Sequence, residues 1–114
     1  MIAVIFEFTP APGKTEDYFA LGAALKAEVE NFDGFISIER FQSVNTPGKF
    51  VSLSFWRDET ALTAWRNRQS HRAAQARGRG DVFSDYRLRV ASVMRDYGMH
   101  ERAGAPADSR AAHG

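Results

Sequence analysis

The sequence predicts an α+β domain whose elements follow one another in the order β-α-β-β-α-β. Four segments are rich in β-branched and aromatic residues or alternate apolar with polar residues, as strands do. Two regions carry apolar residues at helical spacing. The 114 residues, of which 44% are hydrophobic and 25% charged, match one globular domain in size and in apolar content.

The first strand and the first helix are separated by a turn. Residues from Ile2 to Thr9 are mostly β-branched or aromatic and predict a strand, which ends at the proline- and glycine-containing stretch 10–13. A helix is predicted from Thr15 to Glu30, because apolar residues recur there at helical spacing. The hydroxyl of Thr15 is the predicted N-cap of this helix.

The next two strands form a predicted hairpin. A strand is predicted from Phe35 to Phe41, in which Ile36 and Ile38 share one side, and another from Phe50 to Trp56. The connecting segment contains Asn, Pro and Gly, which favour a tight loop. We therefore expect these strands to be antiparallel neighbours.

The second helical region is predicted to be broken in two and to be followed by a last strand. Asp58 is a suitable N-cap for a short helix that carries Trp65, and a second piece is predicted from about Ser70 to Gly78. A strand is predicted from Tyr86 to Arg95. Residues 98–114 are small and polar and predict a disordered tail, so the folded domain is expected to span residues 1–97.

This order of elements is the ferredoxin-like βαββαβ arrangement, in which both helical regions lie on one face of an antiparallel sheet. The other face also carries apolar residues, such as Ile5 on the first strand and Val51, Leu53 and Phe55 on the third. An apolar face needs cover. We therefore predict a homodimer in which two antiparallel sheets pack face to face.

Composition excludes several classes of partner and site. A net charge of +1 provides no general attraction to nucleic acid, and the aromatics around Lys49 lack the glycine of an RNA-recognition signature. The absence of cysteine excludes disulfides and thiolate metal sites. The opening residues lack the features of a signal peptide, and no apolar run is long enough for a membrane span. We therefore expect a cytoplasmic protein with no nucleic-acid, membrane or metal partner.

The segment from Phe55 to Val90 has a more specific pattern. It contains a strand ending in Phe-Trp, a short helix with a second Trp, a helix with His, and a last strand introduced by an aromatic and Tyr. With the Pro12-Gly13 turn and the Phe-Asp-Gly-Phe element at 32–35, it resembles the antibiotic biosynthesis monooxygenase domain family over residues 1–97. The resemblance implies a dimeric α/β barrel with a cleft between the helices and the sheet of each subunit.

The family includes cofactor-independent oxygenases, quinol monooxygenases and haem-degrading monooxygenases. The haem-degrading branch uses an Asn on strand one, a Trp, and a His that ligates iron. At those positions this chain resembles the branch only in Trp65, because strand one carries Glu7 and the ligand position carries Gln75. His71 precedes that position by one helical turn. Haem degradation by the usual route is therefore not expected.

Three residues are candidates for catalysis. Trp65 is either a core anchor or the wall of a substrate pocket. His71 is either a solvated polar residue or a general base. Glu7 interrupts an apolar strand and is either paired with an Arg or placed in a pocket that raises its pKa. The arginines of the second helical region are either solvated or recognise a carboxylate ligand.

The resemblance and these residues together predict a cofactor-independent monooxygenase. Such an enzyme would act with O₂ on a small aromatic, phenolic or quinol-like substrate, with Trp65 as pocket wall and His71 or Glu7 as proton acceptor. No cofactor and no metal are predicted. The alternatives are a non-catalytic dimer that binds a small molecule or haem, and a haem-degrading monooxygenase.

Overall fold

The structure, a computed structural model, describes residues 1–77 and 81–114 and confirms the predicted α+β fold. Its elements, in chain order, are β1 (Ile2–Pro10), α1 (Thr15–Val29), β2 (Phe35–Gln42), β3 (Phe50–Trp56), α2 (Glu59–Arg66), α3 (Gln69–Arg77), β4 (Phe83–Ser92) and α4 (Ala107–His113). Within the described part of the chain, no helix combines the length and apolar character that crossing a membrane requires.

The four strands form one antiparallel sheet in the order β2-β3-β1-β4. Phe6 of β1 lies opposite Ser52 of β3 and Leu88 of β4, so these side chains share a face. This face, called the helix face below, packs against the helices through two buried clusters. One contains Val29, Trp56, Ala61, Leu62 and Trp65, and the other Phe8, Tyr18 and Val82.

The opposite side of the sheet, called the outer face below, is also apolar. Along β3 the serines and Trp56 are buried on the helix face, whereas the outward Val51, Leu53 and Phe55 stay partly exposed. Ile5 of β1 lies directly opposite Leu53 and is also partly exposed. Both faces of the sheet therefore carry apolar residues, as the alternation predicted.

Strand pairing explains where β4 differs from its predicted limits. The last strand was expected from Tyr86 to Arg95, but it begins at Phe83 and ends at Ser92. It pairs with the whole of β1, from Pro10 opposite Phe83 to Ile2 opposite Ser92, with an irregularity between Thr9 and Pro10. The length of β1 thus sets the limits of β4.

The helix ends confirm one predicted cap and correct another. The Asp58 carboxylate accepts a hydrogen bond from the backbone N–H of Ala61 at 2.8 Å and caps α2, as predicted. Thr15 does not cap α1, because it is the first helical residue and Lys14 occupies the N-cap position without a side-chain hydrogen bond. The predicted stop at Gly78 lies outside the described residues.

The tail beyond residue 97 contains order that its composition did not predict. It includes the short helix α4, and Ala105 is buried. Arg102 connects its parts, because its guanidinium donates hydrogen bonds to the Ser109 hydroxyl and to the carbonyls of Gly98 and Gly114. The same guanidinium lies over the Tyr97 ring. One polar side chain, instead of an apolar core, thus organises this segment.

Candidate functional site

A cleft with a volume of about 240 Å³ lies between the helices and the helix face of the sheet. The helices α1, α2 and α3 form its walls. Leu88 and Val90 of the edge strand β4 line the cleft and remain about half exposed. The sheet contributes a mostly apolar floor, made of Val4, Phe6, Ile38, Ser52, Ser54, Trp56, Leu88 and Val90.

Trp65 is a core residue that also lines the cleft. It lies in α2, is only 5% exposed, and packs with ring-centroid distances of 5.3 Å to Phe32 and 6.3 Å to Trp56. Its ring also lies 5.4 Å from the imidazole of His71. The capped helix α2 thus holds a flat aromatic wall beside the only histidine of the domain.

His71 lies in the first turn of α3 and also lines the cleft. Burial lowers the pKa of its imidazole, and the charges of Arg72 and Arg66 act in the same direction. A hydrogen bond from the imidazole to the backbone carbonyl of Arg66 opposes this shift. The imidazole is therefore neutral at neutral pH.

The two nitrogens of that imidazole have different surroundings. Nδ1 is buried and has no hydrogen-bond partner among the described residues. A carbonyl oxygen can only accept, so a hydrogen bond to Arg66 would take its hydrogen from the other nitrogen. Nδ1 would then keep a lone pair that no described protein group uses. His71 lines the cleft, and a neutral imidazole with such a lone pair can accept a proton.

Glu7 lies on the outer face of the sheet and does not line the cleft. Its carboxylate accepts a hydrogen bond from Arg89 Nη1 at 2.6 Å and lies 3.6 Å from Lys49 Nζ. The hydrogen bond from Arg89, followed by the charge of Lys49, lowers the pKa of Glu7. Of the two surroundings considered for this residue, the structure shows the ion pair.

A polar group that sequence reasoning missed lies at the α1–β2 side of the cleft. Arg40 is half-buried, its Nε donates to the Tyr18 hydroxyl at 2.8 Å, and its guanidinium lies over the Tyr18 ring. Tyr18 is buried, and burial raises the pKa of its hydroxyl although Arg40 opposes the shift. Both residues line the cleft.

A bulge near the start of β2 corrects the alternation predicted for this strand. The pairing with β3 shifts between Phe35 and Ser37, so Ile36 does not share a face with Ile38 as predicted and is 50% exposed. Ile38 and Arg40 instead lie opposite Ser54 and Ser52 on the helix face. A simple alternation from Phe35 onward could locate the strand, but it could not reveal the bulge.

The charged residues around the cleft are of one sign. Lys26, Arg40 and Arg66 line it, and no Asp or Glu does so among the described residues. Gln75, at the position where the haem-degrading branch has its ligand, also lines the cleft, and its amide oxygen accepts a hydrogen bond from Arg72. Elsewhere in the second helical region Arg68 lies 3.7 Å from Glu28 and is solvated.

Residues 1–77 match the family model described as antibiotic biosynthesis monooxygenase, which is more than half of the chain. The chain belongs to the antibiotic biosynthesis monooxygenase family. One relative is the jasmonate monooxygenase ABM of Pyricularia oryzae, which is 46% identical to this chain over 93 residues. The match covers 82% of this chain but only 43% of that relative, so the chain spans less than half of the relative's length.

Solved structures of family members share the fold at low sequence identity. A putative antibiotic biosynthesis monooxygenase from Deinococcus radiodurans superposes with a TM-score of 0.76 at 11% identity, over 86% of this chain and 97% of that one. A mutant of SnoaB, a cofactor-independent oxygenase from Streptomyces nogalater, gives a TM-score of 0.72 at 13% identity, over 83% and 94%. These likenesses establish that the ferredoxin-like fold is common to the family.

Proposed function

We propose that this family member is a cofactor-independent monooxygenase that acts with O₂ on a small aromatic, phenolic or quinol-like substrate. The observation that carries the proposal is the buried, unpartnered Nδ1 of a neutral His71 beside Trp65 in an apolar cleft. Family membership and the monooxygenase name of the Pyricularia relative support the reaction type.

The reaction balances without an external reductant, because the substrate itself is oxidised. His71 Nδ1 accepts the proton of a substrate hydroxyl, which gives an electron-rich anion. The anion transfers one electron to O₂, and the resulting radical and superoxide combine to form a carbon–oxygen bond. Loss of the hydrogen on that carbon, together with cleavage of the O–O bond, yields a carbonyl and a hydroxide ion, which takes the proton back from His71 and leaves as water. A phenol thereby becomes a quinone.

The other residues of the cleft have separate roles in the proposed reaction. Trp65 stacks against the substrate ring and holds the reacting hydroxyl near Nδ1. Apolar floor residues such as Phe6 and Ile38 exclude water, which strengthens the interactions of a developing anion. Glu7 takes no part in this scheme, because it lies on the other face of the sheet.

The proposed working unit is a homodimer of the domain formed by residues 1–97. The partly exposed Ile5, Val51, Leu53 and Phe55 form an apolar strip across the centre of the outer face. A second copy that packs the same face against it would bury both strips with twofold symmetry. The strip is flanked by the charged cluster at Glu7, which suits the rim of such an interface.

Oxygen uptake tests the proposed reaction. The purified protein is incubated with a panel of phenols, naphthols and quinols, and with jasmonate because of the name of the Pyricularia relative. We expect one O₂ consumed per product, one labelled oxygen atom from ¹⁸O₂ in the product, and no effect of a metal chelator. A non-catalytic binding protein would bind members of the panel without consuming O₂, and that result would contradict the proposal.

A further inference from the structure

The Arg40 guanidinium has donors that the protein does not use. Its Nε is occupied by the Tyr18 hydroxyl, but neither Nη atom donates to any described residue. No described carboxylate lies within ion-pair distance of it, and none lines the cleft. A half-buried guanidinium without an acidic partner is costly unless something else compensates its charge.

Tyr18 adds a second donor beside the first. Its hydroxyl oxygen already accepts from Arg40, so its own hydrogen is available, and no described residue accepts it. The hydroxyl and the Nη groups therefore present several donors and no acceptor at one end of an apolar cleft. Such a set matches the two acceptor oxygens of a carboxylate, which Arg binds with favourable geometry.

The position of Arg40 depends on the absence of a side chain at residue 22. A Cβ placed on Gly22 of α1 would lie 2.7 Å from Arg40 Nη2 and 3.2 Å from its Cζ. Only glycine therefore leaves room for the guanidinium where it stands.

We propose that the substrate of the cleft carries a carboxylate, which Arg40 and Tyr18 bind at the α1–β2 side while the reacting ring lies against Trp65. This inference rests on the proposed function for the identity of the site, but it concerns recognition and not turnover. Lys26 and Arg66 add positive potential and favour the same anion. A carboxylate held at one end would orient the ring for proton transfer to His71 at the other.

Anaerobic binding measurements test this inference without any requirement for activity. The probes are 6-hydroxy-2-naphthoate and its amide, 6-hydroxy-2-naphthamide, which share the ring and carry the hydroxyl at the end opposite the carboxylate or amide. Binding is followed by tryptophan fluorescence, since Trp56 and Trp65 both line the cleft. We expect the carboxylate to bind the unmodified protein about tenfold more tightly or better, because charged hydrogen bonds are replaced by neutral ones in the amide.

Two variants test whether the preference for the carboxylate probe depends on the Arg40 guanidinium, and a third variant serves as control. Arg40→Gln should reduce the carboxylate-to-amide ratio to near one. Gly22→Ala retains every charge but displaces the guanidinium, so it should also lower the ratio markedly. Arg110→Gln removes the same charge from the exposed surface of α4 and should leave the ratio unchanged.

Three results would overturn the inference. They are equal binding of the two probes by the unmodified protein, absence of binding by either probe, and a preference that survives in Arg40→Gln. The first two need no variant, so a folding defect in Arg40→Gln cannot hide them. Carboxylate preference without oxygen uptake on any substrate would instead refute the proposed reaction and leave the recognition of the carboxylate standing.

Discussion

At the scale of single residues, the proposed chemistry depends on His71, whose proton affinity is reduced by its surroundings. Burial lowers the pKa of His71 below the ordinary imidazole value of about 6.5, so the neutral, proton-accepting form is present at neutral pH. The group becomes protonated only as the pH falls through that lowered pKa. Activity that depends on Nδ1 should therefore be lost on the acid side alone.

This first prediction is tested by a pH profile of kcat/KM. We expect a rise that ends below about pH 6.5, followed by a plateau through neutral pH. His71→Ala should lower kcat/KM by about 10²- to 10⁴-fold and abolish the acid limb. Glu7→Gln is the matched control and should retain the limb and the activity within about twofold, because the carboxylate lies on the outer face. A loss in Glu7→Gln as large as that in His71→Ala would show that the wrong proton acceptor was chosen.

A second residue-scale prediction concerns Gly34, which has a φ of 91° and lies against α2. A Cβ on Gly34 would lie only 2.3 Å from the Cβ of Ala61. Gly34→Ala should therefore lower the free energy of unfolding by about 2–4 kcal/mol, from backbone strain and overpacking together. In Gly48 the φ is 79° but the surrounding space is open, so Gly48→Ala should cost only about 1 kcal/mol. Equal losses in two chemical denaturation curves would contradict the proposed clash.

At the scale of elements, α2 presents Trp65 to the cleft, and the Asp58 cap stabilises this short helix. The backbone N–H of Ala61, and then Arg57, lower the pKa of the Asp58 carboxyl. Because the folded-state pKa is depressed, the stabilisation is present above the unfolded value of about 3.9 and is lost as the pH falls through the folded value.

The third prediction follows from the lowered pKa of the Asp58 carboxyl in the folded state. Asp58→Ala should lower the melting temperature by several degrees at pH 6, and Asp58→Asn, which keeps an acceptor oxygen, should lower it less. The difference between the unmodified protein and Asp58→Asn should shrink as the pH is lowered from about 6 to 3. A difference that is constant over this range in thermal melts monitored by circular dichroism would mean that the charge contributes nothing.

The helices and strands were more predictable from the sequence than the residues at which they begin and end. Alternation and turn residues are local properties, and they located β1, the β2–β3 hairpin and the break between α2 and α3. The bulge that separates Ile36 from the face of Ile38 arises from pairing with β3, and the limits of β4 arise from pairing with β1. These are tertiary effects that one segment does not encode.

The candidate site could likewise be predicted from the sequence only in part. Trp65 and His71 could be chosen from residue type and family resemblance, and they lie together in the cleft. Which of His71 and Glu7 faces the cleft depends on the sheet register and on helix packing. Nothing in the sequence connects Tyr18 with Arg40, which lies 22 residues further along the chain.

At the scale of the whole molecule, the proposed homodimer depends on the outer face of the sheet. The fourth prediction is that Leu53→Glu converts a dimer into a monomer, because an unpaired charge in a dry interface costs several kcal/mol. Val44→Glu is the control, since Val44 is 99% exposed in the β2–β3 loop. Sedimentation at micromolar concentration should give a dimer for the unmodified protein and for Val44→Glu. A monomeric unmodified protein would contradict the proposed assembly.

The pairing of β1 with β4 has a consequence for how the chain acquires its shape during synthesis. Ile2 and Ser92 lie directly opposite each other in the sheet, although they lie at opposite ends of the domain. The central strand therefore keeps one edge open until almost the whole domain has left the ribosome, and pairing of such distant segments is slow. A fragment cut after residue 77, where the family match ends, would retain Trp65 and His71 but expose the free edge of β1. Such a fragment is expected to aggregate rather than to form a cleft.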